Sequence, residues 1–85
     1  MSYNVYSVYI VECSDGSYYT GIAVDLEKRL HEHNHSAKGA RYTRSRRPVA
    51  LVYSENHPDR SSALKREYAI KKMTRSRKAA LIHAR

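Results

Sequence analysis

Five side chains stand out by type and spacing: Tyr9, Tyr19, Arg29, His33 and Glu67. Tyrosine, histidine and arginine can move protons and bind anions, and a carboxylate can hold a hard cation. Arg29 and His33 fall in the series Leu26, Arg29, Leu30, His33, whose i, i+3, i+4, i+7 spacing makes one helix face, the inward one. There the planar fork of Arg29 suits a non-bridging phosphate oxygen, and His33 can accept or relay a proton. Glu67 lies among Ala63, Leu64, Ile70 and Met73 on a second helical stripe, and is the only acid beyond Arg60. A lone carboxylate among cations suits Mg²⁺, which keeps several waters and shares its shell with phosphate oxygens.

Each position also has a plain structural reading. The tyrosines can be core residues, Arg29 can snorkel to the rim, and His33 can be a satisfied structural histidine. Glu67 and Lys71 can form an i, i+4 ion pair of a few tenths of a kcal/mol. It is the coincidence of all five at inward positions that favours chemistry. His31, His33 and His35 do not add a transition-metal site, because alternate helix positions splay them and no cysteine completes a set.

The 85 residues fit one domain, 1–85, with one modest core, so an inward polar group needs a reason. All eight aromatics are tyrosines, which implies a polar-lined interior on at least one side. The net charge is +8. Lys38, Arg41, Arg44, Arg46 and Arg47 follow one another with no acid between them, and nine cations accompany Glu67 from Arg60 onward. Such a field favours a polyanion, nucleic acid before an anionic membrane surface. Cys13 stands alone, which excludes a disulfide framework and a thiolate zinc site. No signal peptide or transmembrane stretch is readable, so a cytoplasmic protein is expected.

The elements that must position these residues follow in order. Tyr3 to Glu12 reads as a strand, apolar on both faces at its centre. Ser17 to Ile22 is its hairpin partner. The loop between them decides the chemistry. A two-residue Asp15-Gly16 loop would put Tyr9 and Tyr19 on opposite faces. A three-residue Ser14-Asp15-Gly16 loop, with Gly16 left-handed, pairs Cys13 with Ser17 and puts both tyrosines on one face. The position of Gly16 selects the second. Asp25 caps a helix to about Asn34. His35 to Arg47 is a basic connection with room for a helical turn. Pro48 opens a third strand, Val49 to Ser54, and Asn56-His57-Pro58 reads as a turn. Asp59 or Ser61 caps a helix to about Met73, and Thr74 caps a last one, Arg75 to His83. The expected class is α/β (α+β), order β-β-α-β-α-α, with a small three-stranded antiparallel-type sheet and flanking helices.

With these residues in place the chain resembles a GIY-YIG nuclease domain, of the small stand-alone bacterial branch. Val8-Tyr9-Ile10 matches the first motif, with Val8 at its usual glycine, and Tyr19-Thr20-Gly21 matches the second. Arg29 stands at the helix arginine, His33 at the following His-or-Tyr position, and Glu67 at the metal-binding glutamate. Gly39-Ala40-Arg41-Tyr42-Thr43-Arg44, Arg46-Arg47-Pro48-Val49 and Ala63-Leu64-Lys65-Arg66-Glu67 resemble signature stretches of the branch. The asparagine that many family nucleases carry beyond the glutamate has no equivalent here.

The resemblance implies a metal-dependent DNA endonuclease that hydrolyses phosphodiester bonds, structure-selective and acting in DNA repair or recombination. In that reading Glu67 anchors Mg²⁺ or Mn²⁺, and Tyr9, bonded to Tyr19 or His33, takes the proton of the attacking water. Arg29 stabilises transition-state charge and, with the metal, lowers the Tyr9 pKa from its ordinary value of about 10. Lys28, Lys38, Arg41, Arg44, Arg46 and Arg47 hold the nucleic-acid backbone. The missing asparagine sets up the alternative, a catalytically silent nucleic-acid-binding module on the same fold.

Overall fold

Val8, Tyr9, Ile10 and Val11 are four consecutive residues with no more than 1% exposure, so this strand is covered on both faces. The computed structural model describes residues 5–84. Its elements are β1 (Tyr6–Glu12), β2 (Tyr18–Ala23), α1 (Leu26–His35), α2 (Arg41–Arg44), β3 (Ala50–His57), α3 (Arg60–Lys71) and α4 (Arg75–His83). The expected beginning of the first strand at Tyr3 and Asn4 lies outside the described residues. The sheet is antiparallel with order β2-β1-β3, which puts the buried strand in the middle.

Alternation along β1 divides the core in two. Val8 and Ile10 pack with Tyr53, Ala63 and Ile70 on the face covered by α3 and α4. Tyr9 and Val11 pack with Cys13, Val49, Leu26 and Leu30 on the face covered by α1. The second face carries the polar interior, for Tyr9, His33 and Thr43 are all essentially inaccessible to solvent.

The caps follow the sequence. Asp25 accepts from Lys28 N, Asp59 rather than Ser61 accepts from Ser62 N, and Thr74 accepts from Arg77 N. Two expectations change. The third strand continues to His57, and Asn56-His57-Pro58 is not a turn. The N-terminal half of β1 offers a free edge there, pairing Tyr6 with His57 and Ser7 with Asn56, and backbone pairing outweighs the turn propensity of Asn56. A register shift beside Ile10 and Val11 leaves Val52 as the extra residue of a bulge. Leu64, expected on the inward stripe of α3, is 38% exposed, and Ala63 and Ile70 carry that contact.

Candidate active site

The site begins at the hairpin turn. Gly16 has φ +83°, its N–H donates to Cys13 O at 2.9 Å, and Cys13 N donates to Ser17 O at 2.8 Å. This is the three-residue loop, and its register pairs Tyr9 with Gly21 and Val11 with Tyr19. Directly opposed residues share a face, so Tyr9 and Tyr19 lie on the same one. The Tyr9 ring crosses Gly21, where a Cβ would sit 2.6 Å from the phenol oxygen. Glycine at that position is therefore a condition for the phenol to lie where it does.

His33 descends onto this phenol from α1. Its Nε2 is 2.6 Å from Tyr9 Oη, and its ring meets Tyr19 edge-on with centroids 5.4 Å apart. Arg29, one turn earlier, also approaches the phenol, while its Nη1 donates to Glu32 Oε1 at 3.1 Å and to Lys38 O at 2.8 Å. Burial drives the electrostatics. Desolvation pushes Tyr9 up to about 12, with Arg29 opposing it and the charge of Glu67 adding to it. Desolvation, aided by Arg29, pushes His33 down to about 4. In the protein alone Arg29 does not bring the phenol below its ordinary value, because burial outweighs it. Near neutral pH the pair is a phenol beside a neutral imidazole. Arg29 can only donate, so of these two partners only His33 Nε2 is able to accept the Tyr9 proton.

Glu67 belongs to α3, whose Ala63 and Ile70 pack on the other face of the sheet. It influences Tyr9 through its charge, while its Oε2 pairs with Lys71 Nζ at 3.2 Å. The i, i+4 ion pair and the electrostatic link to the site thus coexist. The side chain is 17% exposed, and Oε1 has no hydrogen bond among the described residues. No group of three or more His, Cys, Asp or Glu residues that could hold a metal occurs among them. One carboxylate with a free oxygen fits Mg²⁺ or Mn²⁺ held mainly by water and substrate oxygens, and does not fit a permanently enclosed metal. Of the three α1 histidines, His33 turns inward while the rings of His31 and His35 meet at 4.7 Å.

The expected backbone-binding cations separate into two sets. Lys28, Lys38, Arg41 and Arg44 are exposed. Arg46 is tied to Asp15 at 3.0 Å and lies over the Tyr42 ring at 3.9 Å. Arg47 turns toward the C-terminal end of α1, donating to the carbonyls of Glu32, His33 and Ser36. Two neighbours of the site were not singled out by spacing. Tyr42 stacks on Tyr19 with centroids 6.0 Å apart, and Thr43 Oγ1 lies 3.0 Å from His33 Nδ1. Both come from α2, a single turn whose approach to α1 no local periodicity encodes.

Comparison with known proteins agrees with this geometry. The GIY-YIG catalytic domain family matches residues 5–80. A UPF0213 protein of Desulfotalea psychrophila is 62% identical over 77 residues, 91% of this chain and 70% of the relative. A UPF0213 protein of Staphylococcus aureus is 56% identical over 78 residues, 92% of this chain and 94% of the relative. Two solution NMR structures are similar. The UPF0213 protein of Bacillus halodurans has a TM-score of 0.62 at 41% identity, covering 95% of this chain and 85% of that one. A protein of E. faecalis has a TM-score of 0.66 at 40% identity, covering 98% and 90%.

Proposed function

The chain belongs to the GIY-YIG catalytic domain family, with relatives in the UPF0213 group, and from that premise we propose that it is a divalent-metal-dependent endonuclease acting on DNA. The observation that carries this reading is the buried 2.6 Å contact between Tyr9 and His33, beside Arg29 and within electrostatic reach of Glu67. A structural core has little use for a phenol, an imidazole and a guanidinium brought together at that depth.

The chemistry follows from these atoms. The water that attacks phosphorus gives a proton to Tyr9 Oη while the Tyr9 proton passes to His33 Nε2. The phenol is thus a carrier and never has to exist as a free phenolate with a raised pKa. His33 ends as an imidazolium, and Arg29 faces the charge developing on the phosphate. A divalent ion on Glu67 Oε1 would polarise the phosphate and offset the carboxylate charge that now raises the Tyr9 pKa. DNA with branches or flaps is the substrate proposed first, in line with a role in repair or recombination.

Incubation with flapped, branched and plain duplex DNA in Mg²⁺ or Mn²⁺ tests the reading. Cleavage is expected that disappears with chelator and falls roughly 10²- to 10⁴-fold in Tyr9→Phe and in Glu67→Ala, the range for loss of one acid–base or charge-stabilising group. The Lys71 pair that occupies one Glu67 oxygen favours a second reading, a binding module without catalysis. Binding without cleavage on every substrate would establish the module instead.

A further inference from the structure

His33 is held at both ring nitrogens, and the second contact is not explained by packing. Its Nδ1 faces Thr43 Oγ1 at 3.0 Å, and that hydroxyl lies 2.9 Å from Ala40 O. Neither His33 nor Thr43 is accessible to solvent. The Ala40 N–H also faces Nδ1, at 3.3 Å.

Two tautomers compete for this arrangement. With the proton on Nε2, the ring donates to Tyr9 and Nδ1 accepts from the Ala40 N–H. Thr43 keeps its donation to Ala40 O, so that Nδ1 and Oγ1 face each other as two acceptors 3.0 Å apart. The Tyr9 hydroxyl then has no acceptor among the described residues, at a site with 1% exposure. With the proton on Nδ1, the ring donates to Thr43, Thr43 donates to Ala40 O, and Nε2 accepts the Tyr9 hydroxyl. This second network gives up only the Ala40 N–H contact to Nδ1, the longest of the set at 3.3 Å. The first tautomer strands a buried hydroxyl proton and also opposes two acceptors, whereas the second gives up one long contact.

We propose that Thr43 is a positioning residue that fixes His33 in its Nδ1–H tautomer and so leaves Nε2 bare toward Tyr9. The tautomer rests on this balance of hydrogen bonds; its catalytic use rests on the nuclease reading. A bare Nε2 is the only form in which His33 can receive a proton from the phenol. Thr43 thus acts through His33, by accepting the Nδ1–H while its own hydroxyl donates a hydrogen bond to a carbonyl already anchored at the start of α2.

The experiment is a long-range ¹H–¹⁵N correlation spectrum of the full chain near pH 7, which reports which His33 nitrogen carries the proton. Wild type should show Nδ1–H and a bare Nε2, and Thr43→Ser should keep that pattern. Thr43→Val removes the acceptor, so the ring should turn over to Nε2–H, with Ala40 N–H then satisfying Nδ1. In cleavage assays the valine variant should lose roughly 10²-fold in kcat with KM unchanged, and serine should restore most of it. A wild-type ring protonated on Nε2, or a valine variant that keeps the wild-type tautomer, overturns the proposal. If Thr43→Val does not fold, the wild-type and serine spectra still decide. If no DNA is cut, the nuclease reading fails while the tautomer result stands by itself.

Discussion

His33 links the chemistry of the site to the stability of the fold. A buried neutral histidine binds fewer protons than the same side chain in the unfolded chain. Its pKa is about 4 in the folded protein against an ordinary 6.5, through burial first and then the charges of Arg29 and Arg47, with Glu32 opposing. Between these values the unfolded state takes up the proton, so stability rises with pH across the window. It is fully present above 6.5 and is lost as pH falls toward 4. The difference corresponds to about 3 kcal/mol at 1.36 kcal/mol per unit. The carboxylates held below their usual values (Asp15, Glu55 and Asp59) lose their contributions only at lower pH, below their ordinary range. Urea unfolding from pH 6.5 down to 4.5 should therefore reveal a decline that His33→Gln flattens. An equally steep decline in that variant would remove His33 as the cause. The inward placement of the residue was legible from its spacing to Leu26 and Leu30. Its bond with Tyr9 was one of the two alternatives the resemblance implied, whereas its depth and its contact with Thr43 were not legible, since they depend on Gly21 below and on a distant turn.

The three-residue hairpin, the caps at Asp25 and Thr74 and the order of elements were all written in local residue types. What escaped the sequence were contacts between elements. The clearest is the C-terminal end of α1, where the last carbonyls of any helix lack intrahelical donors. Arg47 reaches Glu32, His33 and Ser36 through a fork. Since Glu32 O and Ser36 O also accept from Ser36 N and Gly39 N, the carbonyl that depends on the fork is that of His33. Gly39 permits this, because a Cβ there would meet Glu32 O at 2.6 Å and Arg47 Nη2 at 3.2 Å. Asn34 adds a second clamp, donating to Val49 O and accepting from Val49 N. In the sequence Arg47 is indistinguishable from Arg44, one more cation in a basic run. The fold separates them, and stability measurements should do the same. Arg47→Ala is expected to cost about 1–3 kcal/mol by orphaning the His33 carbonyl at a part-buried helix end. Arg44→Ala, at an exposed position, should stay within about 0.5 kcal/mol of wild type. Equal stabilities for the two variants in denaturant titrations would show that the fork contributes nothing to α1.

At the scale of the molecule, the 16 lysines and arginines are not equally available to a polyanion. Arg66 is paired with Glu55, Lys71 with Glu67, Arg29 with Glu32 and Arg46 with Asp15. Arg75 lies over the Tyr18 ring and Lys72 over the Tyr68 ring, so part of the C-terminal charge is applied to aromatic faces. Beside the candidate site, Lys28, Lys38, Arg41 and Arg44 remain exposed without an ion pair among the described residues. If these four carry the backbone contacts, counterion release sets the dependence of DNA binding on salt. At about 0.9 per phosphate neutralised, log K against log salt should fall with a slope between about −3 and −4. Engagement of all six cations expected from the sequence would steepen it beyond about −5. Fluorescence anisotropy with Tyr9→Phe and duplex DNA in metal-free buffer separates the two, since nothing is cut during the titration and no ion pair is broken. Arg44→Ala should make the slope shallower by about 1 and weaken binding to all sequences alike, as a phosphate contact does. A slope that Arg44→Ala leaves untouched would move the binding face away from α2, toward the cations of α3 and α4.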